Sequence, residues 1–470
     1  MLTRRVFAAG AVAAAGGWAA DANPVWLGID DLSARLRTRK LSPVEVTRAC
    51  LERVDTFNGR LNAFVTLTAD RALAEARAHE AELRGGKWRG PLHGVPVGLK
   101  DLYDTAGVRT TAGSRQWAER VPVVDAEAVR RLKEAGAIVL GKLNMDEFAY
   151  NFTGATSSFG TSRNPWNPAR TPGGSSGGSA VAVAAGLCYA ALGSDTGGSI
   201  RLPASFCGIT GCKPSYGAVS TEGAAPLAWS LDHVGPMTRS ARDGALVLAA
   251  LIGKPVGEDA VSVRPLRLGI PRVLFYDGLD AEVAKAVEQA AAVMGRLGSG
   301  VRDVEVPKLA MHPDLPVLPA AYLRIIWTEA YTFHLDMLRS HPELYHSGTR
   351  ETIERGAKVS APEYIRARRE MERLRAESAA WFRDSDLLLT PTALGPAFPL
   401  DAAPLEFLRN TAPWNLLGFP TVSVPCGFTQ SGLPIGLQIA GAPGRDAAVL
   451  AMAEAYQKAT DWHQRRPPVS

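Results

Sequence analysis

Cysteine is scarce, with five in 470 residues, and that excludes a small domain held together by a disulfide framework. An excess of one charge is missing too. Lys and Arg number 52 against 47 Asp and Glu, and a net charge of +5 is too slight a bias to argue for nucleic acid. No segment approaches ~20 unbroken apolar residues, so no secure membrane span is expected. Internal repeats and heptad runs are absent as well. Yet 46% of the chain is hydrophobic, the level of an ordinary globular protein, and its length can bury a sizeable core. Length alone allows about three domains, although large α/β enzymes often form one. What is plentiful is glycine, at 46 residues, and its placement turns out to be informative.

The first residues read as a targeting segment. Thr3-Arg4-Arg5-Val6-Phe7 precedes an Ala/Gly/Val run with no charge before Asp21. A basic start, a short apolar stretch and small residues at Ala20 and Ala22 match a secretory signal. The paired arginines resemble the twin-arginine type, which exports folded proteins. We therefore expect a signal over residues 1–22 and a body over 23–470, periplasmic after export. A cytoplasmic enzyme with an Ala-rich start is the alternative.

The body alternates helix and strand. Ser42-Pro43-Val44-Glu45 is a capping box with proline at the first helical position, and it opens an amphipathic helix towards Phe57. A second helix is expected over about 68–83. Val95 to Leu99 reads as a short buried strand ending at Lys100-Asp101. Asp125 is the expected cap of a helix stopped by Gly136, and Ala137 to Leu140 is a buried strand. Further strands are expected near Tyr189–Leu192, Leu266–Ile270 and Leu387–Leu389. This predicts an α/β fold, a single large domain with a mixed central β-sheet covered by helices on both faces. A more helical, aromatic stretch over about 254–383 reads as the variable substrate region, in the manner of a lid.

Two glycine-serine segments carry the chemistry. One is Pro172-Gly173-Gly174-Ser175-Ser176-Gly177-Gly178-Ser179; the other is Gly193-Ser194-Asp195-Thr196-Gly197-Gly198-Ser199-Ile200-Arg201. Glycines free the backbone, serines supply hydroxyls, and N–H groups at such turns converge on negative charge. A phosphate-binding loop needs a Gly-Lys-Ser/Thr that the chain lacks. A dinucleotide fingerprint fails because Ser175 stands where the middle glycine belongs. A nucleophile elbow fits Gly173 to Gly177 by pattern, but the prolines at 165 and 168 keep the preceding run out of a sheet interior. A flexible linker would not lead into an Ala/Val helix and an apolar strand. What remains is a hydroxyl nucleophile whose base need not be histidine. A buried lysine can serve when desolvation lowers its pKa, and Lys100 directly follows the strand Val95 to Leu99, although a lysine seen alone there reads first as an ordinary strand-end lysine reaching solvent.

With these residues in view, the chain resembles the amidase signature family. Gly98-Leu99-Lys100-Asp101, the Pro172-to-Ser179 loop and Gly197-Gly198-Ser199 carry the likeness at the intervals typical of the family. His93-Gly94-Val95-Pro96, Met145-Asp146-Glu147, Lys213-Pro214-Ser215 and Ser230-Leu231-Asp232-His233 extend it. The likeness covers nearly the whole body and is densest over 93–242.

The resemblance implies an amidase that releases carboxylate and ammonia through an acyl-serine, with no cofactor and no metal. Ser199 is the implied nucleophile, Lys100 the base, and Ser175, after a cis Gly174–Ser175 peptide, the proton relay. The amides of Thr196, Gly197, Gly198 and Ser199 are the implied oxyanion hole. Asp195 and Arg201 are expected to brace that loop, and Ser176 and Ser179 to bond backbone. His93 and His233 fall in structural turns. Cys207 and Cys212 could pair oxidatively in an exported protein, though family members usually carry an apolar residue at the second position.

The implied partner is a small amide, aliphatic or aryl-acetamide, with no nucleic acid and no stable membrane association after export; a homodimer stays open. The stretch from Arg267 to Tyr276 resembles indoleacetamide and mandelamide hydrolases most. Trp327, Tyr331, Phe333 and Trp414 are candidate pocket aromatics. The alternatives are a glutaminase like the A subunit of glutamyl-tRNA(Gln) amidotransferase, an esterase built on Ser175 and His233, and a non-catalytic binding protein.

Overall fold

Eleven strands among the described residues form one sheet, and its C-terminal edge at the central strands is where the glycine-serine segments meet. The computed structural model describes residues 23–256 and 261–469, so the expected signal over residues 1–22 lies outside the described residues. The strands are β1 (Phe64–Leu67), β2 (Pro96–Lys100), β3 (Ile138–Leu143), β4 (Ala190–Asp195), β5 (Thr210–Lys213), β6 (His233–Thr238), β7 (Leu268–Ile270), β8 (Val301–Asp303), β9 (Leu387–Pro391), β10 (Thr421–Phe428) and β11 (Pro434–Gly441). Their spatial order is β1-β3-β2-β4-β6-β5-β10-β11-β9-β7-β8. β2 runs parallel to both β3 and β4, whereas β6 lies antiparallel to β4. The sheet is therefore mixed, as its family resemblance implies.

Every residue of β2, β3, β4, β5 and β6 is buried. Successive strand side chains point to opposite faces, so complete burial requires cover on both. These strands accordingly read as short apolar runs rather than alternating ones. The capping box at Ser42 is present, with Glu45 N–H donating to Ser42 Oγ and Ser42 N–H donating to Glu45, and its helix extends over Pro43–Leu61. The second helix covers Ala69–Arg84.

Three expectations need correction. The helix Glu127–Glu134 starts from Ala126, not Asp125. The Asp125 carboxylate instead accepts the Ala106 N–H at 2.8 Å and pairs with Lys133 at 2.7 Å. A loop amide and a lysine in the last turn of the same helix take the carboxylate that a cap would have used. The stretch over about 254–383 is more than a lid, because it supplies β7, which pairs with β9, and β8, which pairs with β7, to extend the sheet. Its long helices Ala281–Leu297, Ala320–Ser340 and Ala361–Ala376 bury apolar residues such as Val287, Ile325 and Met371 in the common core. Finally, Cys207 and Cys212 are both free and buried, like the other three cysteines. Cys207 Sγ faces the Pro172 carbonyl oxygen at 3.5 Å, while Cys212 is held within β5.

Candidate active site

Lys100 is the last residue of β2, and Ser194 and Asp195 close the parallel neighbour β4. Strand ends of this kind, at the carboxyl edge of parallel strands, are where open α/β sheets build their sites. The Lys100 ammonium nitrogen has no exposed surface and lies 2.7 Å from Ser175 Oγ and 2.8 Å from Ser194 Oγ. Burial pushes this amine down to about 7, against the opposing pull of the Asp146, Asp195 and Asp232 carboxylates. A lysine near neutrality is a usable base, since a good fraction of it carries a free lone pair.

Ser175 follows a cis Gly174–Ser175 peptide and has no exposed surface. A Cβ on Gly174 would stand 2.0 Å from Asp146 Oδ2, so only glycine fits against that carboxylate. Asp146 is fixed in turn by the N–H groups of Gly154 at 2.9 Å and Thr156 at 3.0 Å, and its own N–H donates to the Ser175 carbonyl. Ser176 joins the two glycine-serine segments. Its N–H donates to the Ser199 carbonyl, its hydroxyl to the Ser194 carbonyl at 3.3 Å, and its oxygen accepts the Ser194 N–H at 3.3 Å. Ser179 donates to the Leu192 carbonyl at 3.0 Å. Both serines thus bond backbone, and neither lines the cavity beside Ser199.

The second segment wraps around Asp195. Its carboxylate accepts Gly198 N–H at 2.8 Å, Ile200 N–H at 3.1 Å and Arg201 Nε at 3.0 Å. Burial works against this charge, but the Arg201 guanidinium holds it ionised well below the usual carboxylate range. Arg201 continues to Gln438 Oε1 at 3.1 Å, Asn415 Oδ1 at 2.7 Å and the Thr411 carbonyl at 3.0 Å. Thr411 Oγ1 donates to the Gly197 carbonyl at 2.6 Å, and Thr196 Oγ1 to Asp232 at 2.6 Å. The loop carrying Ser199 is thereby pinned at both ends. Gly198 adopts φ +133°, and a Cβ there would meet Thr411 Oγ1 at 2.3 Å.

This geometry divides the expected oxyanion donors. The Gly198 N–H is already given to Asp195. The amides of Thr196, Gly197 and Ser199 have no protein acceptor among the described residues. Thr196, Gly197 and Ser199 also line a cavity of about 360 Å³. Ser199 Oγ makes no protein hydrogen bond among the described residues, and its residue keeps 8% exposure towards that space.

The cavity walls are mostly apolar, including Phe152, Leu318, Tyr322, Ile326, Trp327 and Leu408, with Arg355 as the cation among its lining residues and no carboxylate. Of the four aromatic candidates only Trp327 lines it. Trp414 is fully buried and stacks on Phe275 at 4.9 Å, and Tyr331 and Phe333 pack in a separate cluster around Phe148 and Tyr345.

Neither histidine joins the serines. His233 Nδ1 faces the Leu231 carbonyl at 2.7 Å, and burial, with Lys213 nearby, holds its imidazole well below the ordinary value. His93 sits beside His79 at 3.1 Å, with Glu82 3.3 Å away. These three could be read as metal ligands, since their donor atoms lie within 4.8 Å of one another. The Arg89 N–H, however, donates to His93 Nδ1 and so leaves the converging Nε2 as the protonated nitrogen. Arg89 and Lys87 already occupy Glu82. The cluster is a hydrogen-bonded ion-pair group.

Ser194, Asn415, Gln438 and Thr411 were not singled out from the chain. Ser194 lay within the second glycine-serine segment, where a buried lysine's need for more than one partner could have drawn attention to it. The other three come from sequence about 210–240 positions away, and no local pattern joins them to Arg201.

A family model described as Amidase matches residues 45–450. The chain belongs to the amidase signature family. It is 40% identical over 484 residues to the A subunit of the glutamyl-tRNA(Gln) amidotransferase of Moorella thermoacetica, covering 94% of this chain and 98% of that protein. It is also 40% identical over 468 residues to an amidase of Pseudomonas putida, covering 94% and 97%. A crystal structure of an amidase superimposes with a TM-score of 0.85 at 38% identity, covering 92% of this chain and 99% of that one. The protein is accordingly a hydrolase acting on amide C–N bonds.

Proposed function

We propose that the protein hydrolyses amides of apolar carboxylic acids, small aliphatic or aryl-acetamide in type, through an acyl-enzyme on Ser199. The observation that carries this reading is Lys100, a fully buried amine 2.7 Å from Ser175 Oγ, in a site whose other serine, Ser199, lines a mostly apolar cavity. In this mechanism Lys100 takes the proton of Ser175 as Ser175 takes that of Ser199. Ser199 Oγ bonds to the amide carbon, and the carbonyl oxygen gains negative charge facing the amides of Thr196, Gly197 and Ser199. Collapse breaks the C–N bond, and the proton returns through Ser175 to the leaving nitrogen. Water then bonds to the ester carbon as Ser175 and Lys100 take its proton, the bond to Ser199 Oγ breaks, that proton returns through Ser175 to Ser199 Oγ, and the acid leaves and ionises to carboxylate. Aimed donors of this kind are worth a factor of about 10²–10³ in rate each. An ammonia-release screen over aliphatic, aryl, indole and amino-acid amides tests the reading. Turnover of aryl or branched aliphatic amides supports it, and exclusive use of glutamine overturns it.

The second reading is a glutaminase, and the names of the relatives favour it over the first. The cavity speaks for the first, because none of its lining residues is acidic and the α-ammonium of glutamine would meet no carboxylate there. Arg355 could hold a carboxylate under either reading.

We also infer export from residues 1–22, on the sequence alone. Replacing Arg4 and Arg5 by lysines should leave precursor in the cytoplasm, and undisturbed export overturns twin-arginine targeting.

A further inference from the structure

We infer that Ser194 is a positioning residue for Lys100, orienting the lysine lone pair towards Ser175. The inference rests on the reading of Lys100 as the base of amide hydrolysis. A neutral amine has two N–H bonds and one lone pair, and only the lone pair can take a proton. With Ser175 Oγ at 2.7 Å and Ser194 Oγ at 2.8 Å, the nitrogen has two hydroxyl neighbours. If Ser194 accepts one N–H, the lone pair can turn to the Ser175 proton.

Ser194 is built to accept. Its N–H and carbonyl are both engaged with the Ser176 hydroxyl, which fixes the residue at the end of β4. Its own Oγ has no further protein partner among the described residues. It borders a separate small cavity of about 40 Å³, shared with Thr196, Asp232 and His233, while the substrate cavity is lined without it. That cavity, mostly apolar but with Thr196, Asp232 and His233 in its lining, leaves room for the Ser194 hydroxyl hydrogen to turn away from the lysine. Truncating Ser194 therefore removes nothing that touches substrate. It loosens the aim of the base and withdraws an acceptor from the ammonium form.

The charged groups facing Lys100 are the carboxylates of Asp146, Asp195 and Asp232. All three favour the protonated amine and are unchanged by substitution at Ser194. Loss of the Ser194 acceptor should then lower the apparent pKa of the base, moving the acid limb of the rate profile to lower pH.

The test measures kcat, KM and the pH profile for a turned-over amide with wild type, S194A, S194C and S194T. Cysteine keeps the volume but accepts hydrogen bonds weakly; threonine keeps the hydroxyl. S194A and S194C should lose kcat by about 10²-fold, as expected for a misaligned reacting group, with KM held and the acid limb lowered. S194T should keep most of the wild-type rate. Should S194A fail to fold, the contrast between cysteine and threonine decides. Wild-type kcat in S194A or S194C, or a loss of kcat with the acid limb unmoved, overturns the proposal. Amide hydrolysis by S199A at the wild-type rate would instead defeat the underlying reading of the site.

Discussion

Arg201 Nη2 lies 2.9 Å from Asp195 Oδ1, and neither side chain has exposed surface. The pair holds the turn that presents Ser199, because Asp195 also takes the Gly198 and Ile200 amides. Removing one partner of a buried pair leaves a charge without compensation, at a cost of about 3–5 kcal/mol. R201A should lose stability of that order in urea unfolding, together with nearly all activity. Unchanged stability would show that the pair is not what holds the turn.

With Lys100 as the base, the catalytic rate should depend on pH in a definite direction. With the amine at about 7, kcat/KM should rise through an acid limb near pH 7 and level off above it, because only the neutral form accepts a proton. A limb near the carboxylate range would assign the base elsewhere.

The same shift affects stability. The folded amine titrates below its ordinary 10.5, so between about pH 7 and that value the unfolded chain binds a proton that the folded chain does not. Folding is then favoured increasingly as pH rises, by about 1.4 kcal/mol per unit from this group at most. K100M removes the contribution. The stability difference between wild type and K100M should therefore tilt with pH over this window, and parallel curves would contradict the shift.

Gly197 is required for room. A Cβ there would stand 2.1 Å from the Tyr322 hydroxyl and 3.1 Å from its Cζ. G197A should keep its fold but lose activity by about 10²-fold or more as the donor loop is displaced. The double variant G197A/Y322F removes the nearest atom and should regain part of the rate. No recovery would place the defect in the backbone rather than in the clash.

Trp327 lines the cavity and Tyr331 does not. W327A should raise KM for aryl amides by about tenfold with kcat little changed, the signature of lost uniform binding. Y331A should leave KM alone. Equal effects would mean that the cavity is not the substrate's place.

Much of this site was legible in the chain because its central elements are local. The glycines at 173, 174, 197 and 198 sit beside the serines they serve, and Lys100, though 75 residues from Ser175, is marked by its place at the end of a short buried strand. β2, β3 and β4 could be located because complete burial makes short apolar runs. Less visible were the groups that hold the loop from afar. Arg201 meets Gln438, Thr411 and Asn415 only after β10 and β11 have joined the sheet, and nothing near those residues hints at the meeting. The strand at Leu268–Ile270 was legible, but Val301–Asp303 was not, because a three-residue, largely exposed strand is drowned by the helices around it. Of the candidate pocket aromatics, Tyr331 and Phe333 could not be told from Trp327 for a related reason. Helix spacing puts Trp327, Tyr331 and Phe333 within two turns of one another, but which face meets the cavity is set by the packing of the helix Ala320–Ser340 against its neighbours.

The proposed mechanism requires that Ser199 carry the acyl group. Intact-protein and peptide mass spectrometry after rapid quenching with a turned-over amide or its activated ester measures this directly. The account predicts a single acyl adduct on the peptide containing Ser199, present in wild type and absent in S199A, which should lose amide turnover. An adduct on Ser175 or another residue, or sustained amide turnover by S199A, would contradict it.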